Sequence, residues 1–287
     1  MLTDDTRRAA VLGSPISHSL SPALHLAAYR SLGLGNWSYD AHEVQVADLP
    51  RFVSGLGPQW AGLSLTMPLK EAAFEVADEV SDLAREVGAI NTLVRRPQGG
   101  WSGDNTDVYG VAQALREAGA GQVAAAVVLG SGATARSVVA ALATLGCARV
   151  SFVVRSEARP ETVDQARRAG LEVGVARLGN LADTLADTLG DAQVVVSTLP
   201  ANALAGSALQ GTVLRQGSLR PDHLLLDVVY TGWPTPLART FQQAGARAVS
   251  GLEMLVHQAA EQVHLMTGLR PPVEQMRAAG LAGLGSR

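Results

Sequence analysis

Lys70 closes the segment SLTMPLK, just beyond an apolar run and a proline. Lysine is a strongly hydrated point charge on a flexible stem, and partial burial tunes it readily for proton transfer. Asp107 ends GDNTD, and its carboxylate would pair with the ammonium if a cleft brought the two together. Asn91 is embedded in GAINTLV, where an amide without partners is costly. Ser19 and Ser21 are near neighbours in SHSLSP, so both hydroxyls can face one point, and Thr66 shares the segment of Lys70. Hydroxyls, an amide, an ammonium and a carboxylate suit a small polyhydroxylated ligand and the movement of a proton on it. Plainer readings exist for each: Lys70 as a helix-surface lysine, Ser21 as a helix cap.

A second group of residues has different chemistry. VVLGSGATARS holds Gly130, Gly132 and Ala135 in the G-x-G-x-x-G/A spacing, with Ser131, Ala133 and Thr134 completing the turn. Gly130 permits the tight turn, Gly132 lets the backbone approach a pyrophosphate, and Ala135 keeps helix close to strand. The run lies between a predicted strand and a predicted helix, which is the context a dinucleotide site requires. One strand later comes VVRSEAR, where an NAD site would present an acid to the ribose. Arg155, Ser156 and the nearby Arg159 suit a 2′-phosphate instead, so NADP is the expected cofactor. Glu157 lies past the position where a ribose-binding acid is expected.

The elements that must position these residues alternate strand and helix. Residues 8–13 read as a buried strand, followed by a loop and a helix with Ser21 as cap and Pro22 at its first position. Strand 37–44, helix 46–57, strand 61–67, helix 68–80, a helix from Ser81 and strand 89–96 continue the series. Near residue 107 the chain turns richer in alanine and valine, and five further strand patterns follow the glycine turn. The final segment, 251–269, reads as a helix that crosses back to the first domain. The expected fold is therefore α/β with two α/β domains. Residues 1–107 with 251–287 would form a mainly parallel-sheet substrate domain, and 108–250 a Rossmann-type NADP domain.

Composition narrows the function classes. Of 287 residues 47% are hydrophobic and 17% charged, and the net charge is −3 with no long basic block. Nucleic acid and anionic membrane surfaces are therefore not expected partners. The single cysteine, Cys147, excludes a disulfide within the chain and reads as a buried inert thiol. No signal-peptide core and no membrane-length apolar run is seen, which points to the cytoplasm. His257, Glu261 and His264 recur at helical spacing, but no further ligand accompanies them and no metal is expected. His18 could contact ligand or make a structural hydrogen bond. Trp37, Trp60, Trp101 and Trp233 are scattered and read as packing residues.

Taken together, these stretches resemble the shikimate dehydrogenase family. The likeness runs through nearly the whole chain in ordered blocks: GSPISHSLSP, LTMPLK, GAINTLV, GDNTD, the glycine turn, DVVYTGWPTPL and MLVHQAAEQV. It implies two α/β domains and NADPH-linked reduction of the 3-ketone of 3-dehydroshikimate to shikimate, in aromatic amino-acid biosynthesis. It implies a small-molecule substrate and a monomer or homodimer. Carried across by residue, Ser19 and Ser21 would hold the substrate carboxylate, with Tyr230 near it. Thr66, Asn91 and Gln258 would bind hydroxyls or position the ring. Lys70 would be the acid/base that protonates the new hydroxyl oxygen, with Asp107 as its partner.

Three blocks differ from the family pattern. Ser64-Leu65-Thr66 stands where Asn-Val-Thr is usual, so an amide is replaced by a shorter hydroxyl. Gly130-Ser131-Gly132-Ala133-Thr134 replaces Gly-Ala-Gly-Gly-Ala, and Val154-Arg155-Ser156 replaces Asn-Arg-Thr. Two alternatives stay open. One is a relative acting on quinate or another hydroxylated ring acid, with NAD, for which Ser64 and Arg155 are the discriminating positions. The other is a non-catalytic NADP- or ligand-sensing homologue, against which the presence of Lys70 and Asp107 counts.

Overall fold

From Ala9 to Gly13 the first strand is buried at every position, as a strand covered on both faces must be. The computed structural model describes residues 6–177, 188–200 and 219–285. The chain forms two units, Met1–Gly110 with Leu255–Arg287, and Val111–Met254. It passes between them within two helices, Asp107–Glu117 and Gly251–Thr267.

The first unit is built on six strands: β1 (Arg7–Gly13), β2 (Trp37–Glu43), β3 (Trp60–Leu65), β4 (Glu79–Val80), β5 (Thr92–Arg95) and β6 (Trp101–Asp104). Their order across the sheet is β2-β1-β3-β5-β6-β4. β1 pairs in parallel with β2 and β3, and β4 with β6, while β5 is antiparallel to both its neighbours. β5 thus runs against all the others. Leu12, Leu49, Leu63, Leu69, Ile90 and Leu93 form much of the core. Trp60 and Trp101 join it as packing residues, with the Arg8 and Arg95 guanidinium groups over their rings.

Helices α1 (Ser21–Ser31), α2 (Leu49–Ser54), α3 (Leu69–Ala72), α4 (Asp82–Val87) and α5 (Asp107–Glu117) follow in chain order. In the second unit β7 (Ala125–Leu129), α6 (Ala133–Thr144), β8 (Arg149–Val154), α7 (Pro160–Arg168) and β9 (Glu172–Arg177) come first. β10 (Val194–Ser197), β11 (Leu224–Asp227), α8 (Pro236–Gln243) and β12 (Arg247–Ser250) complete it among the described residues. Its sheet is parallel throughout, in the order β12-β11-β10-β7-β8-β9. Read from the other edge this is the doubly wound dinucleotide-binding order, so the Rossmann-type expectation holds. Val127, Leu129, Val153, Leu225 and Phe241 fill one of its faces. Helices α9 (Gly251–Thr267) and α10 (Val273–Gly285) end the chain, and α10 packs on α1. Among the described residues no helix is long and apolar enough to cross a membrane.

Three local expectations change. The helix expected over 68–80 stops at Ala72, passes through a turn of 3-10 helix and becomes strand β4. Asp78 causes the change: its N–H donates to Trp101 O at 2.9 Å and its Oδ2 accepts from Trp101 N at 2.7 Å, drawing the chain alongside β6. β6 itself was not expected. Ser21 is the first residue of α1 rather than its cap, because Ser19 Oγ takes the Ser21 N–H at 3.2 Å. Cys147 is buried, and burial pushes its thiol up, which makes it a poor nucleophile.

His25 on α1 is completely buried, and its Nδ1 lies 3.0 Å from Ser21 O, so that nitrogen carries the proton. Burial lowers it to about 4, with the Ser21 bond opposing. A His whose folded value is depressed binds its proton more weakly folded than unfolded, so stability is lost as pH falls from the unfolded value, 6.5, towards 4. The wild type should lose about 3 kcal/mol more than His25→Phe between neutral pH and pH 4, read by urea denaturation at each pH. A pH-independent difference between the two would contradict this.

Candidate active site

The reversed strand explains how distant segments meet. β1, β3 and β6 end at one edge of the first sheet, and β5, running the other way, begins there. Thr92 at its start sits opposite Ser64 on one side and Asp104 on the other. The ladder continues past the strands: Leu65 N–H donates to Asn91 O at 2.7 Å and Asn91 N–H to Asp104 O at 3.0 Å. On the other flank Thr66 N–H donates to Leu12 O at 2.9 Å and Ser14 N–H to Met67 O at 3.0 Å. Gly13 allows that closeness, since a Cβ there would lie 2.3 Å from Thr66 Cγ2. One edge therefore carries the serine loop, Thr66, Asn91 and the start of α5.

Lys70 follows on α3, and its carbonyl accepts from Ile90 N–H at 2.8 Å, which ties α3 to the Asn91 segment. Lys70 Nζ donates to Asp107 Oδ2 at 2.6 Å, with the side chains 16% and 6% exposed. Lys70 is the only lysine in the chain; the other cations are arginine. Asn105 sets Asp107 in place: its Oδ1 accepts from the N–H groups of Asp107 and Val108, and its Nδ2 donates to Ala89 O.

Asn91 meets the second carboxylate oxygen. Its Nδ2 donates to Asp107 Oδ1 at 2.9 Å and to Thr106 Oγ1 at 3.0 Å, and lies 3.4 Å from Gln258 Oε1 on α9. Its Oδ1 accepts from Thr106 N–H at 2.8 Å, and only the carbonyl oxygen can stand there, so the amide orientation is determined. Lys70, Asn91, Asp107 and Gln258 thus form one contiguous cluster, the first three joined by hydrogen bonds. It holds a cation of exchangeable proton against a carboxylate with both oxygens engaged, at the rim of a buried polar layer.

The other predicted residues are placed as follows. Ser19 lies in the loop after β1, Ser21 is buried at the start of α1, and Thr66 is half-buried just past β3. Tyr230 follows β11 in the second unit, half-buried. His257 is buried, Glu261 half-buried and His264 exposed, so their helical spacing spreads them over different surroundings. Ser64 is buried and bonded within the protein: it accepts from Tyr39 OH at 2.6 Å and donates to Gln262 Oε1 at 2.7 Å. Tyr39, Thr92, Thr106 and Gln262 escaped the sequence reading. The available signal was Gln258 and Gln262, four apart and so on one face of their helix, where buried amides imply partners.

In the second unit Gly130 follows β7 with φ +100°, a conformation that favours glycine, and a Cβ there would lie 2.6 Å from Thr198 Oγ1. Gly132 is different. Its backbone is extended, and among the described residues, its chain neighbours aside, no atom lies within 4 Å of the position a Cβ would take. The described residues do not require glycine there, and a bare backbone at the N-terminus of α6 suits the close approach of an anionic group. Ala135 is fully buried, as close helix–strand packing requires. Ser131 Oγ accepts from Arg159 N–H at 3.1 Å and Thr162 Oγ1 donates to Ser131 O at 2.7 Å, which pins the turn to the start of α7. Ala133 and Thr134 open α6; Arg155 and Ser156 are exposed just past β8. Glu157 lies 3.9 Å from Arg177, both exposed. The donor set fits a dinucleotide with a phosphate on its ribose.

Comparison with known proteins agrees with this arrangement. Residues 11–93 match the family model described as the shikimate dehydrogenase substrate binding domain, and 251–279 that of the shikimate 5′-dehydrogenase C-terminal domain. The chain is 34% identical to a Synechococcus protein named shikimate dehydrogenase (NADP(+)), covering 97% of this chain and 96% of that one. The crystal structure of a shikimate 5-dehydrogenase from Mycobacterium fortuitum is 48% identical, with TM-score 0.83, covering 96% and 97%. A quinate dehydrogenase from Corynebacterium glutamicum in complex with NAD is 28% identical, with TM-score 0.83, covering 96% and 99%.

Proposed function

The chain belongs to the shikimate dehydrogenase family, and from that premise we propose that it catalyses the reversible, NADPH-dependent reduction of 3-dehydroshikimate to shikimate. The observation that carries the reading is Lys70 Nζ on Asp107 Oδ2 in a chain with no other lysine. Arginine serves every other cationic role here, but a guanidinium does not give up its proton in a protein. An amine at this position answers a need for proton transfer.

When bound, NADPH supplies the hydride that goes to the carbonyl carbon. Lys70 gives the carbonyl oxygen its proton and takes it back in the reverse direction. Asp107 holds the ammonium through Oδ2, and Asn91 holds the carboxylate through Oδ1. Ser19, Ser21 and Tyr230 bind the substrate carboxylate, while Thr66, Asn91 and Gln258 bind hydroxyls or position the ring. The first unit is the substrate domain. The turn from Gly130 to Ala135 cradles the pyrophosphate, with Arg155, Ser156 and Arg159 around the 2′-phosphate. The work is cytoplasmic, done by a monomer or homodimer on a small ring acid, without nucleic acid or membrane.

Proton NMR of 3-dehydroshikimate incubated with NADPH tests this: a new carbinol proton at C3 supports the reading, and unchanged ketone with intact protein overturns it. Arg155→Ala should weaken NADP+ about tenfold or more and leave NAD+ within about twofold, one charge-assisted contact being lost. Steady-state kinetics with both cofactors measures this, and equal losses for the two would remove Arg155 from phosphate recognition. A second reading, use of quinate and NAD, rests on the likeness to the Corynebacterium enzyme.

A further inference from the structure

Behind Asn91 the hydrogen bonds do not end. Gln262 Nε2 donates to Thr92 Oγ1 at 3.0 Å and lies 3.3 Å from Asn91 O, a carbonyl that only an N–H can face. Thr92 Oγ1 donates in turn to Asn91 Oδ1 at 2.8 Å. On the other side Gln262 Oε1 accepts from Ser64, which accepts from Tyr39. Every donor and acceptor in this series points one way: Tyr39 to Ser64, to Gln262, to Thr92, to Asn91, to Asp107. All six side chains are buried, none more than 7% exposed.

The far end is equally constrained. The Tyr39 ring stacks on His25 with centroids 3.9 Å apart. Burial pushes the Tyr39 phenol well above its ordinary range, with the Ser64 bond opposing most, so it remains a donor. Ser64 is central to the series. It accepts from Tyr39 on one side, and Gln262 is the residue that receives the serine hydroxyl.

We propose that Tyr39, Ser64, Gln262 and Thr92 are positioning residues for the Lys70–Asp107 pair, acting through the Asn91 amide that holds Asp107 Oδ1. The proposal rests on the shikimate dehydrogenase reading and deepens it: the chemistry at Lys70 depends on a polar chain reaching to α1 and β2. A fully satisfied buried network has one arrangement, and a carboxylate at its end has one orientation. A serine in the middle of β3 is thereby part of the acid/base apparatus without touching substrate.

Thr92 separates positioning from packing. Thr92→Val keeps the shape and removes the hydroxyl; Thr92→Ser keeps the hydroxyl and removes the methyl. Thr92→Val should lower kcat for shikimate oxidation about fivefold or more, with KM for NADP+ within about twofold, and Thr92→Ser should restore kcat to within about twofold of wild type. In an Asp107→Asn background, Thr92→Val should have no further effect on kcat. If Thr92→Val does not fold, Gln262→Met replaces it in the same cycle. Equal losses in Val and Ser variants, or a Thr92→Val loss that adds in full to Asp107→Asn, overturns the proposal. Failure of the underlying reading is distinguishable, because the wild type would then oxidise no shikimate with NADP+.

Discussion

Lys70→Ala should lower kcat for shikimate oxidation by about a thousandfold, within the 10²–10⁴ range typical of a lost general acid/base, while NADP+ affinity stays within about twofold. The residues proposed for the cofactor belong to the other unit, on the turn after β7 and the loop after β8. Removing one partner of a part-buried ion pair also has a structural cost, and melting the variant with and without NADP+ separates that from chemistry. Lys70→Arg is the sharper companion. It keeps a cation for Asp107 but not an amine that can exchange its proton, so its kcat should fall about as far as that of the alanine variant. Full activity in Lys70→Arg would show that charge, not proton transfer, is what Asp107 and the substrate require. The absence of other lysines adds a chemical route to the same answer, since an amine-directed reagent can reach only Lys70 and the N-terminus.

Gly132→Val should weaken NADP+ by more than about a hundredfold while leaving the melting temperature of the free protein nearly unchanged. The two halves of that expectation have separate causes. Among the described residues, chain neighbours aside, no atom lies within 4 Å of the Cβ position, and the extended backbone at Gly132 suits any residue. The loss is of ligand approach: charge-assisted hydrogen bonds to backbone N–H groups contribute about 1.5–3 kcal/mol each, and displacing two of them removes about 3 kcal/mol or more. Gly130→Ala should behave in the opposite way. It forces a side chain into φ +100° and to within 2.6 Å of Thr198 Oγ1, so the unliganded protein itself should melt lower. Fluorescence titration and thermal melts of both variants measure this. A Gly132→Val protein that binds NADP+ normally would detach the turn from the cofactor.

These two sites differ in how much of them the sequence disclosed. The turn from Gly130 to Ala135 was readable because glycine and alanine at those spacings have few roles other than conformation and close approach. Lys70, Asn91 and Asp107 were readable because polar residues interrupt apolar strand ends, where burial without partners is costly. Thr92 and Ser64 were not, because a β-branched hydroxyl residue and a small one both fit a strand without any polar partner. Gln262 was not read either, because a glutamine on a helix carries no sign of its partners until the structure shows it buried.

The fold shows the same division. The second unit's parallel order followed from the strand–helix rhythm. The first unit's mixed sheet did not, since the direction of β5 depends on short connections from α4 and into β6. β6 has only four residues, WSGD, two of them polar. The helix expected over 68–80 was lost to a single side chain, Asp78, whose bonds to Trp101 are tertiary and leave no periodic trace. The cap at Ser21 failed for a related reason: Ser19 was an equally good hydrogen-bond acceptor two residues earlier.

The first measurement to make is the initial rate of cofactor reduction by purified wild-type protein, with shikimate and quinate each paired with NADP+ and NAD+. The expected result is strong activity with shikimate and NADP+ and weak activity in the other three pairings. Activity favouring quinate or NAD+ would keep the chemistry at Lys70 and overturn the specificity assigned to Arg155. No activity in any pairing, from protein that melts cooperatively and binds NADP+, would contradict the claim that this site is an oxidoreductase.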